Sequence, residues 1–285
     1  MERRNFIALM GALGLSHFNS NFAMANNELG ITHLGACDWS LGQTARLGAF
    51  DVAKAIGLNG VQVSLGTLKD DMHLRQKSIQ KLYKKKSKET GVRITSLAIG
   101  ELNNTPYKSD PITDQWVYDS VDVAKKLDVN VVLLAFFAKN DLRNDPKGIE
   151  TVIAKLKEVA PHAEKKGVTL GIESYLTAEE HLYIMEKVGS GAIKVYYDFR
   201  NAQDAGNDIY KEIKLLGNDQ ICEIHLKENG KFLGKGDVDW QQVSRALEEI
   251  NFSQKKWRQI EWSLPKDTDY VSGHRQNLNY LKNLL

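Results

Sequence analysis

The sequence predicts a single-domain α/β fold, a (β/α)8 TIM barrel. Short apolar runs rich in β-branched and aromatic residues alternate with segments of helical periodicity, eight times along the chain. The length of 285 residues suits one such barrel, and no shift in composition marks a second domain. A doubly wound open sheet is the main alternative.

Strands and helices are expected in strict alternation. The apolar runs predict strands over residues 31–37, 60–65, 92–99, 130–137, 168–173, 193–198, 221–225 and 257–261. The helical segments that follow them span residues 50–56, 74–90, 113–127, 146–166, 177–188, 208–216, 240–250 and 270–285. Gly91 and Gly217 follow two of these helices, at the usual place of a C-terminal cap. Thr177 and Glu180 form a capping-box pattern.

Residues 1–25 resemble an export signal of the twin-arginine type. Two adjacent arginines precede an apolar run, and small residues then offer a cleavage site that ends at Ala25. We therefore expect the barrel domain to span residues 26–285. The mature protein is expected to be exported, into the periplasm if the cell has two membranes. A disordered cytosolic leader is the alternative.

Charge and cysteine content narrow the classes of partner. The net charge is +2, which is too small to indicate binding to nucleic acid or to an anionic membrane. The apolar run of the leader is too short for stable membrane insertion. Cys37 and Cys222 fall on strands one and seven, which are not neighbours in a barrel, so we expect no disulfide. A homo-oligomer is not excluded.

Four consecutive strands of the second half end on a side chain that can bind a metal ion: Glu173, Asp198, His225 and Glu261. Functional residues of a (β/α)8 barrel lie at the C-terminal ends of its strands, so these four should meet on one half of the rim. Three carboxylates and one imidazole suit a divalent cation such as manganese, magnesium or cobalt. Zinc is less favoured, because it prefers more nitrogen and sulfur ligands.

A cation among carboxylates in a barrel mouth favours proton removal beside a carbonyl group. The cation would bind the carbonyl and a neighbouring hydroxyl of the substrate and stabilise the enediolate that forms. Glu173 and Glu261 lie at the two ends of the ligand set and are the candidate acid and base. We predict a metal-dependent isomerase or epimerase, with Mn2+ as the preferred cofactor.

Four segments of the second half carry a resemblance to a known family. They are residues 172–175, 196–201 and 223–228 and the loop 233–240. They resemble the xylose isomerase-like barrel superfamily, specifically its sugar phosphate isomerase/epimerase group, over nearly all of the chain after the leader. The resemblance implies that the four strand-end residues bind the metal and that the two glutamates among them also act as acid and base. It implies a small sugar-like substrate.

Asn201 departs from the family pattern, because several ketose 3-epimerases have a substrate-binding histidine three residues after the aspartate. We keep Asn201 as a candidate substrate contact, but the departure weakens the assignment of the protein as an epimerase of free ketoses. The export signal also favours free sugars, cyclitols or oxidised glycosides over sugar phosphates. The alternatives are a 3-keto-glycoside lyase or keto-sugar hydratase or dehydratase, and a catalytically silent sugar-binding barrel. The first half lacks the histidines of the endonuclease IV branch, which disfavours DNA repair.

Further substrate contacts are predicted at the rim. Lys227 lies two residues beyond His225 and should share its inward face. Trp39, Phe137 and Trp262 fall at or near strand ends, where an aromatic ring can stack on a sugar face.

Other polar residues have a structural interpretation. Glu223 should point into the barrel below the histidine strand end, and we expect it to pair with Lys194 of the neighbouring strand because an unpaired buried charge is costly. The remaining histidines after the leader lack a strand-end position and are interpreted as surface or structural residues: His33, His73, His162, His181 and His274.

Overall fold

The computed structural model describes residues 33–284, and within them eight parallel strands close into a barrel in chain order. The strands are β1 (Leu34–Cys37), β2 (Gly60–Ser64), β3 (Arg93–Ile99), β4 (Val131–Phe136), β5 (Thr169–Ser174), β6 (Ile193–Asp198), β7 (Ile221–Lys227) and β8 (Arg258–Glu261). The barrel closes where β1 pairs with β8. The predicted (β/α)8 fold is confirmed, and the predicted signal peptide lies outside the described residues.

Helices follow the strands on the outside of the barrel. They are α1 (Gly48–Ile56), α2 (Lys77–Thr90), α3 (Ile112–Leu127), α4 (Pro146–Lys166), α5 (Ala178–Val188), α6 (Phe199–Asp204), α7 (Ile209–Gln220), α8 (Trp240–Glu249) and α9 (Tyr270–Leu284). Each predicted helix forms, and Thr177 and Glu180 make the predicted capping box at the start of α5. No helix in this part of the chain combines the length and apolar character needed to cross a membrane.

Two local features depart from simple alternation. The short helix α6 was not predicted, and it begins directly after β6 because the Asp198 carboxylate caps it, accepting from the Asn201 N–H at 2.7 Å. Gly217 interrupts α7 with φ 62° and ψ −179°, a conformation that is essentially restricted to glycine. The helix therefore breaks at the residue where the sequence predicted its end.

The barrel interior has an apolar part and a polar part. Ala98, Val131, Leu133, Ala135, Tyr196 and Cys222 form one buried cluster, and Trp39 and Phe137 pack against it. Gly171 leaves room for this packing, since a Cβ there would lie 2.7 Å from the Cys222 sulfur. Buried polar side chains, including Gln62 and Glu223, fill other positions of the interior.

Candidate metal centre and substrate cavity

The C-terminal ends of β5, β6, β7 and β8 bring together the four predicted metal ligands, Glu173, Asp198, His225 and Glu261. One ligand atom from each lies within 4.8 Å of the others. His225 Nδ1 is 2.9 Å from Glu173 Oε1, 3.7 Å from Asp198 Oδ2 and 3.6 Å from Glu261 Oε2. All four side chains are buried. They therefore face one common centre.

Strand register accounts for this convergence. Parallel pairing aligns Asp198 of β6 with His225 of β7, and Lys227 of β7 with Glu261 of β8. Because side chains alternate along a strand, residues two apart on β7 point to the same side. Lys227 accordingly shares the inward face of His225 and places its ammonium beside the carboxylates.

Burial and mutual charge shift the pKa values of these groups. Burial raises the pKa of Asp198 to about 7, against the opposing charge of Lys227. Burial alone would lower the pKa of His225, but the charges of Glu173 and Glu261 outweigh it and raise that pKa to about 9. Burial would raise the pKa of Glu261, but Lys227 and His225 hold it at about 2. The carboxylates thus give the centre a negative charge, and this charge favours the protonated, positive forms of His225 and Lys227.

The donor set fits a divalent cation. Two of its buried oxygens, Asp198 Oδ2 and Glu261 Oε2, accept no hydrogen bond, although the Lys227 ammonium lies 3.8 and 2.9 Å away. Buried carboxylate oxygens without hydrogen bonds are costly unless another positive group satisfies them. Oxygen donors combined with one imidazole nitrogen match the preferences of manganese or magnesium.

Asn201 connects three residues of the centre. Its backbone N–H donates to Asp198 Oδ1 at 2.7 Å, and its side-chain Nδ2 donates to Glu173 Oε1 at 3.4 Å. Its Oδ1 accepts from Lys227 Nζ at 3.0 Å. The position at which the sequence departs from the ketose 3-epimerases therefore lies directly against the predicted ligands.

A cavity of about 400 Å³ opens above the centre. Glu173, Asn201, Lys227 and Glu261 reach it from the second half of the barrel. The other lining residues come mainly from the first half and from the rim: Trp39, Thr44, Ser64, Gly66, Thr67, Gly100, Glu101, Asn103, Asn104, Leu133, Ala135, Phe137, Tyr175 and Trp262. The volume lies within the range of small-molecule sites.

The aromatic residues predicted at the rim differ in position. Trp39 is partly buried, and its indole N–H donates to Glu261 Oε1 at 2.9 Å. Trp262 directly follows Glu261, is 52% exposed and has φ 42°. Its backbone is held on both sides, because its N–H donates to Ser40 Oγ at 3.0 Å and its carbonyl accepts from the Gly230 N–H at 2.8 Å. The indole of Trp262 is therefore held at the cavity rim with half of its surface open to solvent.

A polar layer lies beneath His225, and of its residues the sequence predicted only Glu223. Gln62, Ser96, Tyr196 and Glu223 are all buried and hydrogen-bonded to one another. The sequence feature that could have predicted this layer is the presence of polar residues at inward-facing positions of otherwise apolar strands.

The expected pairing of Glu223 with Lys194 is wrong. Within residues 33–284, Glu223 accepts from Ser96 Oγ at 2.8 Å and from Tyr196 O–H at 3.0 Å. Burial raises the pKa of Glu223 to about 8. Glu223 is thus bound by two hydroxyl groups and not by the Lys194 ammonium that the sequence predicted.

The cysteines and His181 are buried. Cys37 and Cys222 are both free and buried, so the expectation of no disulfide is confirmed. His181 is buried, with Nε2 3.0 Å from Ser174 Oγ and Nδ1 2.9 Å from the Thr177 carbonyl.

Comparisons with known proteins give a consistent result. Among curated proteins, D-psicose 3-epimerase from Enterocloster bolteae is 22% identical over 226 residues, which cover 71% of this chain and 72% of that protein. The crystal structure of D-psicose 3-epimerase from Clostridium cellulolyticum H10 has a TM-score of 0.75 at 17% identity and covers 89% of this chain and 99% of its own. The 3-keto-D-glucoside 4-epimerase from E. coli has a TM-score of 0.70 at 13% identity, with 88% and 99% covered.

Residues 50–284 match the family described as "Xylose isomerase-like TIM barrel". This match covers most of the chain, and it includes the strands whose ends carry Glu173, Asp198, His225 and Glu261. The resemblance first indicated by the sequence motifs is confirmed. The chain belongs to the xylose isomerase-like TIM barrel family.

Proposed function

We propose that the protein is a metal-dependent isomerase or epimerase of a sugar or sugar-like molecule. The observation that carries this proposal is the convergence of Glu173, Asp198, His225 and Glu261 on one centre at the floor of a cavity. Similarity to proteins named as sugar epimerases supports the reaction class.

The four strand-end residues would hold the cation, and manganese is the preferred candidate, with magnesium, cobalt and zinc as alternatives. When bound, the cation supplies positive charge next to the carbonyl oxygen and so favours the enediolate over the neutral ketone. Its charge would also satisfy Asp198 Oδ2 and Glu261 Oε2, the buried oxygens that accept no hydrogen bond.

Glu173 and Glu261 would move the proton. One carboxylate takes it from the carbon beside the carbonyl, the C–H electron pair passes toward the carbonyl oxygen, and a proton then returns. Return to the same carbon from the opposite face gives an epimer. Return to the neighbouring carbon, with the hydroxyl proton passing to the former carbonyl oxygen, gives an isomer. Both carboxylates are already oriented, Glu173 by His225 and Asn201 and Glu261 by Trp39.

The cavity walls would bind the rest of the substrate. Lys227 and Asn201 present an ammonium and an amide at the floor, which suit hydroxyl and carbonyl oxygens. Trp39, Phe137 and Trp262 offer aromatic faces on which a sugar ring can stack. This combination of stacking surfaces and a few convergent polar groups suits a carbohydrate.

A lyase acting on a 3-keto-glycoside, or a keto-sugar hydratase or dehydratase, is the second candidate. It begins with the same proton abstraction and then loses a group from the neighbouring carbon. Asn201 favours it, because this residue replaces the histidine of several ketose 3-epimerases. The similar fold of a 3-keto-D-glucoside 4-epimerase supports the 3-keto-glycoside as substrate class, although that protein is named as an epimerase.

Solvent exchange tests both candidates. The manganese-loaded protein is incubated in deuterated water with free ketoses, cyclitol ketones and 3-keto-glycosides. Deuterium beside the carbonyl in a product of unchanged composition supports the isomerase or epimerase, and loss of water or an aglycone supports the second candidate. Glu173→Gln and Glu261→Gln should each lower the exchange rate by roughly 10²-fold or more. Absence of exchange across the panel would contradict both and favour a silent sugar-binding barrel.

The proposal includes export of the protein before it acts. The twin arginines and the cleavage site near Ala25 support it. Cell fractionation should place the protein in the periplasm with an N-terminus near residue 26, and Arg3→Lys/Arg4→Lys should retain it in the cytosol. A cytosolic wild-type protein with an intact N-terminus would contradict export.

A further inference from the structure

The imidazole of His225 has two nitrogens with different surroundings. Nδ1 faces the carboxylates, 2.9 Å from Glu173 Oε1, and this contact carries a proton that a cation would replace. Nε2 points the other way, into the barrel interior, and lies 3.0 Å from Gln62 Oε1. An imidazole can bind a cation through Nδ1 only if that nitrogen carries a lone pair, which requires the neutral ring to keep its proton on Nε2. The partner of Nε2 therefore decides how well the ring serves as a ligand.

Gln62 presents an oxygen rather than an amide nitrogen to this ring. Its Nε2 donates to Ser96 Oγ at 3.1 Å and to Tyr196 O–H at 3.0 Å, so both amide hydrogens are used on the far side. A reversed amide would place its oxygen between these two hydroxyls and its NH2 group against His225. The orientation of Gln62 thus depends on whether the two hydroxyls accept or donate.

In its ionised form Glu223 sets the direction of both hydroxyls. Ser96 Oγ donates to Glu223 Oε2 at 2.8 Å, and Tyr196 O–H donates to the same oxygen at 3.0 Å. Each hydroxyl has a single hydrogen, so each can only accept from Gln62. The hydrogen bonds therefore run in one direction, from Nε2 of His225 through Gln62 and the two hydroxyls to Glu223.

We propose that Gln62 is a positioning residue, oriented by Ser96, Tyr196 and Glu223, which holds the proton of His225 on Nε2 and leaves the Nδ1 lone pair for the cation. The inference rests on the metal site proposed above and assigns the residues that support it. The five side chains are each at most 2% exposed, so water does not replace these bonds. Such supporting residues commonly set metal affinity.

Two other groups lie close to the Nε2 proton, and neither is as good an acceptor as Gln62. The Cys37 thiol lies 3.4 Å from His225 Nε2, but its sulfur also lies within donating distance, 3.2 Å, of Gln62 Oε1. A thiol sulfur is a weak acceptor compared with an amide oxygen. The Tyr196 ring packs against the imidazole with a centroid separation of 4.6 Å, and its hydroxyl is already engaged with Gln62 and Glu223. Gln62 is therefore the acceptor.

Metal binding by the full-length protein tests the proposal without relying on turnover. Gln62→Leu removes the acceptor at similar volume, and we expect manganese affinity, measured by titration calorimetry, to fall roughly 10- to 100-fold. Gln62→Glu keeps an oxygen acceptor beside Nε2 but loses the amide hydrogens that Ser96 and Tyr196 accept, so its affinity should fall by less than that of Gln62→Leu. Gln80→Leu is the matched control, because Gln80 is a buried glutamine whose amide donates to the Leu74 and Arg75 carbonyls on the outside of the barrel.

The imidazole can also be observed directly. In the zinc-loaded wild-type protein, proton–nitrogen NMR should show a slowly exchanging Nε2–H of His225 and a metal-bound Nδ1. Gln62→Leu should speed the exchange of that proton or remove its signal. Should Gln62→Leu fail to fold, Tyr196→Phe deletes one anchoring hydroxyl and should move affinity and exchange in the same direction, by less.

The outcomes separate this inference from the proposed function. Wild-type protein that binds no manganese would overturn the metal site itself. Wild-type binding together with unchanged affinity and unchanged Nε2–H exchange in Gln62→Leu would overturn the positioning role of Gln62 alone.

Discussion

Replacing Lys227 with methionine isolates the charge balance of the centre. The lysine ammonium lies 2.9 Å from Glu261 Oε2 and 3.8 Å from Asp198 Oδ2, and its side chain is only 12% exposed. Removing one partner of a buried ion pair costs about 3–5 kcal/mol, because an uncompensated charge remains. We expect K227M to lose about this much unfolding free energy in the metal-free protein at pH 8. At that pH Glu261, whose pKa is held at about 2 in the wild-type centre, is ionised and loses its nearest cation.

A bound cation should reduce this loss. It brings positive charge to the same carboxylates, so the mutant benefits more from it than the wild type does. Folding and binding are linked in one thermodynamic cycle. The destabilisation of K227M is therefore compared with and without saturating manganese. Each reduction of about 1.4 kcal/mol that manganese brings to it corresponds to tenfold tighter manganese binding by K227M than by the wild type.

Urea unfolding with and without manganese, together with calorimetric titration, measures both sides of the cycle. Lys194→Met is the control, because Lys194 lies on the neighbouring strand β6 but outside the cluster of ligands. The control should show no manganese-dependent change in its destabilisation. Equal destabilisation of K227M with and without manganese, or weaker manganese binding by K227M, would refute this reasoning.

Three further predictions concern substrate and pH. Trp262→Ala should raise KM up to roughly tenfold at constant kcat if the indole stacks on the substrate; an unchanged KM would remove it from the binding surface. Asn201→His should shift the preference in the exchange assay toward free ketoses, and an unchanged preference would count against a selective role for this position. His181 is buried, which lowers its pKa to about 4, so the unfolded chain takes up a proton first as pH falls below about 6.5. The contribution of His181 to the unfolding free energy should therefore drop by about 3 kcal/mol between pH 6.5 and pH 4, and the difference between wild type and His181→Gln in urea unfolding should change by this amount over that range.

The fold and the convergence of the four candidate ligands were predictable because both depend on local patterns. Strand runs of β-branched residues, glycine caps and helical stripes recur along the chain, and parallel strands of a closed barrel must end on the same face. Once Glu173, Asp198, His225 and Glu261 fall at the ends of consecutive strands, their proximity follows from the topology.

The support beneath the centre was not predictable in the same way. Gln62 and Tyr196 are 134 residues apart, and Ser96 and Glu223 are 127 residues apart. Which side chains meet across the interior depends on the tilt and stagger of the closed barrel, which local periodicity does not encode. The same limit explains the mistaken pairing of Glu223 with Lys194, since sequence spacing predicted the inward direction of the carboxylate but not the hydroxyls opposite it.

The central claim is that four side chains form one divalent-cation site: Glu173, Asp198, His225 and Glu261. The most direct test is to titrate the metal-free protein with manganese and to follow free Mn2+ by electron paramagnetic resonance. The proposed site predicts one bound ion per chain, with binding abolished or strongly weakened in Asp198→Asn and in His225→Gln while far-ultraviolet circular dichroism stays unchanged. Wild-type protein that leaves manganese free in solution, or variants that bind it as tightly as the wild type, would contradict the account.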